Sequence, residues 1–93
     1  MTEEEIAEGI EKIRDRIPER WGKLISTPTE WFPILVELDR SIAKLYPEYV
    51  VHQVKVKFGG LRYYTDHDGC PEVDDLIRKA EIAVDKLWRD VTK

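Results

Sequence analysis

The stretch from Val50 to Thr65, VVHQVKVKFGGLRYYT, constrains the fold more than any other part of the chain. β-Branched and aromatic residues alternate with polar ones on both sides of Gly59-Gly60, the pattern of a β-hairpin with a two-residue turn. With the two glycines at the tip, Phe58 is expected opposite Leu61, Lys57 opposite Arg62, Val56 opposite Tyr63 and Lys55 opposite Tyr64. One face of the ribbon then carries Val50, His52, Val54, Val56, Phe58, Leu61 and Tyr63; the other carries Gln53, Lys55, Lys57, Arg62 and Tyr64. Like charges directly opposite each other destabilise a strand pair. Lys57 against Arg62 is therefore a local conflict of the kind found where function outweighs stability, and an anion lying over that face would relieve it.

A lone two-stranded ribbon is marginal in water, so its apolar face needs helices against it. Three are predicted. Thr2-x-x-Glu5 is a capping-box pattern, and Ile6, Ile10, Ile13 and Ile17 follow as an amphipathic stripe that Pro18 ends. Residues 22–28 read as a connector. A second helix starts around Thr29, accommodates Pro33 in its first turn, buries Leu35, Leu38, Ile42, Leu45 and Tyr46, and stops at Pro47. Trp31 and Phe32 close its apolar end. Asp66-His67-Asp68-Gly69-Cys70 is a polar turn, and Pro71 opens a third helix with the stripe Val73, Leu76, Ile77, Ala80, Val84, Leu87, Trp88 and Val91. Acids near its start and bases near its end suit the helix dipole. The expected fold is α+β: a small single domain over residues 1–93, with three helices packed on a two-stranded antiparallel hairpin in the order α-α-β-β-α.

Charge narrows the partners. The chain carries −4 overall, yet the hairpin segment holds Lys55, Lys57 and Arg62 against no acid, leaving −7 for the rest. One small basic island suits a small anion better than a nucleic-acid polymer, which needs a broad basic surface. No apolar run is long enough to span a membrane. The acidic start MTEEEIAEGI is unlike an export signal, and a single cysteine, Cys70, fits a reducing cytoplasm.

The polar face of the hairpin is the leading candidate site. An Arg fork and Lys ammonium groups serve phosphate oxygens. Gly59 and Gly60 admit a ligand close to the backbone, and Tyr63 and Tyr64 offer rings on which a base stacks. An ordinary solvated Lys/Arg face on a common turn is the alternative. His52, on the apolar face, reads as a core or boundary histidine, or as a ligand contact. The run from Asp66 to Cys70 has no second cluster at metal-site spacing, so no metal and no cofactor are expected. No P-loop, GxGxxG, GxSxG or HExxH pattern occurs.

The run Gln53-Val-Lys-Val-Lys-Phe-Gly-Gly-Leu-Arg-Tyr-Tyr64 resembles the Q-V-K-E-K-F-G-G-L-R-F-Y motif of small proteins found chiefly in bacteriophage genomes. Their upstream helix start corresponds to Trp31-Phe32-Pro33-Ile34-Leu35 and their downstream helix to residues 72–91, so the resemblance covers roughly residues 31–88. Val56 replaces the usual acid between the lysines, and the paired-cysteine tail of many relatives is missing. The resemblance implies a sponge for host-defence evasion, which sequesters a cyclic nucleotide immune signal of the CBASS type without cleaving it. It also implies residence in the host cytoplasm. Lys55, Lys57, Arg62 and Tyr64 would hold the ligand, with Tyr63, His52 and the Gly59-Gly60 backbone as further contacts.

A homo-oligomer would supply walls that one small hairpin cannot. Two other readings stand beside this one. The acidic surface of the first helix, with Glu3, Glu4, Glu5, Glu8 and Glu11, suits a protein-interaction module that inhibits a basic host protein. A small hydrolase using His52 or His67 has the weakest support, because nothing in the sequence places the two histidines together.

Overall fold

The computed structural model describes residues 1–66 and 70–92, with residues 88 and 90–92 described by backbone alone. Three α-helices and three strands follow one another as α1 (Glu3–Asp15), β1 (Ile25–Ser26), α2 (Phe32–Leu45), β2 (Val50–Lys57), β3 (Gly60–Asp66) and α3 (Pro71–Thr92). Short 3₁₀ turns at Glu19–Trp21 and Thr29–Trp31 bracket β1.

Local chemistry accounts for most of these boundaries. The Thr2 hydroxyl accepts the Glu5 backbone N–H at 3.2 Å and caps α1. Pro33 falls in the first turn of α2, where a missing N–H costs nothing. Ile10, Ile13 and Ile17 from α1 and its exit, Leu35, Val36, Leu38 and Ile42 from α2, and Val73, Ala80 and Val84 from α3 are buried together. Trp31 is fully buried at the mouth of α2. Leu45 and Tyr46, expected in the core, are exposed at 47% and 39%, because α2 has already run past the layer it covers. The side chains of Trp88 and Val91, and residues His67, Asp68 and Gly69 of the expected polar turn, lie outside what is described.

The expectation of a two-stranded antiparallel hairpin is corrected: the sheet is three-stranded and mixed, in the order β1-β2-β3. Ile25 and Ser26 pair in parallel with Val54 and Lys55. The segment expected to be a connector thus contributes a strand, and β1-α2-β2 forms a crossover unit. Two residues carry no readable periodicity, which is why this strand is silent in the sequence.

The hairpin register differs as well. Lys57 pairs with Gly60, Val56 with Leu61, Lys55 with Arg62, Val54 with Tyr63 and Gln53 with Tyr64. The turn is therefore Phe58-Gly59, one residue earlier than expected, with φ of +54° and +77°. Both central residues are left-handed, as the hairpin-favouring type I′ turn requires. The two faces survive the shift from Gln53 to Tyr64, since every pairing moves by two residues. The like-charge conflict survives too, but as Lys55 opposite Arg62.

A second irregularity lies between Val51 and Gln53, where the register shifts against Thr65 and Tyr64. His52 is the extra residue of this β-bulge. The bulge reverses the alternation upstream of it, so Val51 is fully buried where Val50 and His52 were expected to face the core.

One polar network crosses the core. Asp39 on α2, 3% exposed, accepts from Arg16 Nε at 2.7 Å and from the Tyr49 hydroxyl. Asp39 is acceptor-only when ionised. The Tyr49 proton is thus committed to it, and Tyr63, whose oxygen lies 2.7 Å from that of Tyr49, donates in turn. Arg16 also donates to the Pro47 carbonyl at 2.8 Å, and its guanidinium carbon lies 4.5 Å from the centroid of the Tyr49 ring. Burial is the first cause that raises both tyrosine pKa values above their ordinary range. Tyr63, expected on the apolar face and also as a further ligand contact, is 4% exposed and belongs to this network, so it is not open to a ligand.

Candidate functional site

The outer face of β2 and β3 carries an open cavity of about 480 Å³ lined by Trp21, His52, Gln53, Lys55 and Tyr64. Three rings, a carboxamide and an ammonium group thus converge on one space.

Each of these side chains has a structural reason to be there. The bulge turns His52 and Gln53 toward the same side, so two consecutive residues of β2 border the cavity. Tyr64 stands opposite Gln53 on β3 and is 40% exposed. Lys55, two residues along the same face, brings its Nζ to 5.8 Å from the Tyr64 ring centroid, within the range of a cation–π contact. Trp21 arrives from outside the hairpin. Its N–H donates to the Pro18 carbonyl at 3.0 Å, and Gly22 leaves the 3₁₀ turn at φ +79°, a left-handed exit open to glycine without strain. That turn sets the indole 4.1 Å from the His52 imidazole, centroid to centroid, with the planes inclined at 50°. The Arg20 guanidinium carbon lies 4.7 Å from the Trp21 ring centroid, a second positive group beside the cavity.

The expected site residues divide into two sets. His52, Lys55 and Tyr64 come together, His52 because of the bulge and against the expectation that it faces the core. Lys57 and Arg62 do not join them. The Lys57 ammonium lies 5.6 Å from the Phe58 ring centroid at the turn. Arg62 donates to the Leu61 carbonyl at 3.0 Å, and a methyl group at Gly60 would lie 3.7 Å from its Nη1 and 3.9 Å from an Asp85 carboxylate oxygen of α3. The Arg62 guanidinium thus lies beside Gly60, toward the turn end of the strand, and does not line the cavity. Gly59 supplies a positive φ to the turn, and Gly60 lies in the strand beneath Arg62. Neither borders the cavity.

Trp21 and Gln53 enter the site unannounced. Gln53 had been placed on the right face without being singled out. Trp21 sits in a stretch with no periodicity; its only signal is an indole flanked by Arg20 and Gly22 in a polar connector.

Such a space can hold a flat, partly aromatic ligand against an exposed ring, offer its polar edge an amide, and neutralise an anionic group with Lys55. Among the described residues no three His, Cys, Asp or Glu side chains are disposed to hold a metal ion, and no helix is long and apolar enough to cross a membrane. No family model, curated protein or solved structure matches the chain.

Proposed function

We propose that this chain is a non-enzymatic binding protein for a small phosphorylated aromatic ligand of the nucleotide class. The observation that carries the reading is the convergence of Trp21, His52 and Tyr64 with Gln53 and Lys55 on one cavity. A base stacks on the Trp21 or Tyr64 ring, Gln53 meets its hydrogen-bonding edge, and Lys55, with Arg20 nearby, faces the phosphate. The motif shared with small phage proteins favours a cyclic nucleotide signal within this class, held without cleavage so that its free concentration falls. Sequestration of that kind requires affinity and copy number and no acid–base machinery.

Thermal stability measured against cyclic mono-, di- and trinucleotides tests the proposal. A ligand that binds only the folded state stabilises it by about 2.7 kcal/mol at a hundred times its Kd. One class of nucleotide should raise the Tm of the native chain clearly more than that of Trp21→Ala or Lys55→Ala, and should be recovered intact after prolonged incubation. A flat response across the panel would remove the proposal. Recovery of hydrolysed ligand would replace it with a catalytic one.

A further inference from the structure

Two surfaces away from the cavity have features that the fold does not need. The first is the hairpin tip. Phe58 takes a left-handed turn position suited to Asn or Gly, at φ +54°, and leaves its ring 92% exposed. Val56, 41% exposed, and the Lys57 ammonium flank it. A bulky apolar residue here is unfavourable both to the turn and to hydration. The second is a groove of about 460 Å³ between α1 and the start of α2, floored by Ile6, Ala7, Ile10 and Phe32 and rimmed by Glu3 and Glu11. Arg14 also borders it but is ion-paired with Glu11.

We infer that the two surfaces fit each other between copies of this chain: Phe58 of one molecule seats in the α1–α2 groove of a second, with Lys57 over its acidic rim. Three observations select a second copy as the occupant. The groove is apolar and larger than one phenyl ring needs. At the contact itself Lys57 would meet Glu3, Glu11 being already paired with Arg14; behind them the hairpin segment holds three cations and no acid, whereas α1 sets six acids (Glu3, Glu4, Glu5, Glu8, Glu11 and Asp15) against Lys12 and Arg14. Both halves are carried by every molecule, so the contact needs no further component. It joins two different patches, and therefore builds either a two-fold dimer with two such contacts or a head-to-tail chain. The inference uses none of the cavity residues and stands independently of the ligand.

Sedimentation velocity of the full chain over a range of concentrations tests it. The native chain should gain mass with concentration, and less so in high salt. Phe58→Asn keeps a favourable turn but deletes the ring. Ala7→Arg fills the groove from an exposed helical position and repels Lys57. Each should weaken association at least roughly tenfold, as expected for a residue that dominates an interface. Glu3→Lys, which leaves the groove volume intact, should weaken it in the same direction. Phe58→Asn retains an intact groove and Ala7→Arg an intact tip, so an equimolar mixture of the two should recover a heterodimer that neither forms alone. A native chain that stays monomeric at high concentration overturns the inference. So does undiminished association of Phe58→Asn, and so does a mixture that remains monomeric; undiminished association of Ala7→Arg alone would overturn it too, and would mean that tips meet tips.

Discussion

Lys55 lies directly opposite Arg62 across β2 and β3, yet the two cations point to different destinations: one to the Tyr64 ring, the other to the Leu61 carbonyl. The strand pair avoids the cost of adjacent like charges by sending one away. This divides the basic face of the hairpin: Lys55 borders the cavity shared by Trp21, His52 and Tyr64, and Arg62 does not line it.

The division makes the two residues unequal in binding. Lys55→Ala should weaken the affinity for a phosphorylated ligand by roughly tenfold, in line with a charge-assisted hydrogen bond, and flatten its salt dependence. Arg62→Ala should leave affinity within about twofold. Titration calorimetry at two salt concentrations separates them; an Arg62 effect as large as that of Lys55 would place the ligand elsewhere.

Ring stacking predicts the behaviour of Trp21. The indole is 38% exposed and packs on His52 rather than in the core. Trp21→Ala should therefore cost little stability while removing about 1–3 kcal/mol of binding. A Tm that collapses in Trp21→Ala would show the residue to be structural.

The turn offers a prediction about stability alone. Replacing Phe58 by Asn gives an Asn-Gly pair at two left-handed positions, the sequence such turns prefer. Relief of about 1 kcal/mol should raise the Tm by about 4–8 °C for a domain of this size. Calorimetry that shows a lower Tm at a concentration where the native chain is monomeric would mean that the ring contributes to the fold.

Gly9 lies where α1 meets α2. A methyl group there would come within 2.5 Å of Val36 Cγ1, and Val36 is fully buried and stiff. Gly9→Ala gains up to about 1 kcal/mol of helix propensity against about 1–3 kcal/mol of overpacking, so the net effect should be destabilising. Pairing it with Val36→Ala should recover part of the loss in urea unfolding, since the two changes share one space.

The tyrosine network sets an alkaline limit. Tyr49 and Tyr63 both ionise with more difficulty when folded, burial being the first cause. Their contribution is complete below the ordinary tyrosine value of about 10. It falls as pH rises above that value, where the unfolded chain releases protons that the folded one retains. Tyr63→Phe should cost about 1 kcal/mol at neutral pH and reduce the loss of stability above pH ~10. Denaturant titrations at neutral and alkaline pH would show it; parallel curves for the two proteins would mean that Tyr63 takes no part in the alkaline loss.

What could be read from the sequence follows from how far each signal extends. The isoleucine stripe of α1, its Thr2 cap and the long stripe of α3 repeat over several turns and were legible. So were the two faces of the ribbon from Gln53 to Tyr64, because alternation survives a slip of two residues. Single-residue events were not. Two adjacent glycines admit more than one turn, and because a slip of two leaves both faces unchanged, the hydrophobic pattern does not choose between them. Nothing about His52 announces a bulge, and β1 is too short to show a period. The candidate site was half legible for the same reason: Lys55 and Tyr64 follow from alternation, whereas His52 and Trp21 depend on a bulge and a 3₁₀ turn.

The Asp39 carboxylate gathers partners from the exit of α1, the approach to β2 and, through Tyr49, from β3. Loss of the α1 exit or of the approach to β2 removes one of the two donors to this buried carboxyl group, and loss of β3 leaves the Tyr49 hydroxyl without its neighbour. The molecule should therefore have few partly open forms. Amide hydrogens of α2 and the middle of β3 should exchange through one shared opening, on a single timescale, and a protease should meet either the closed chain or the fully unravelled one.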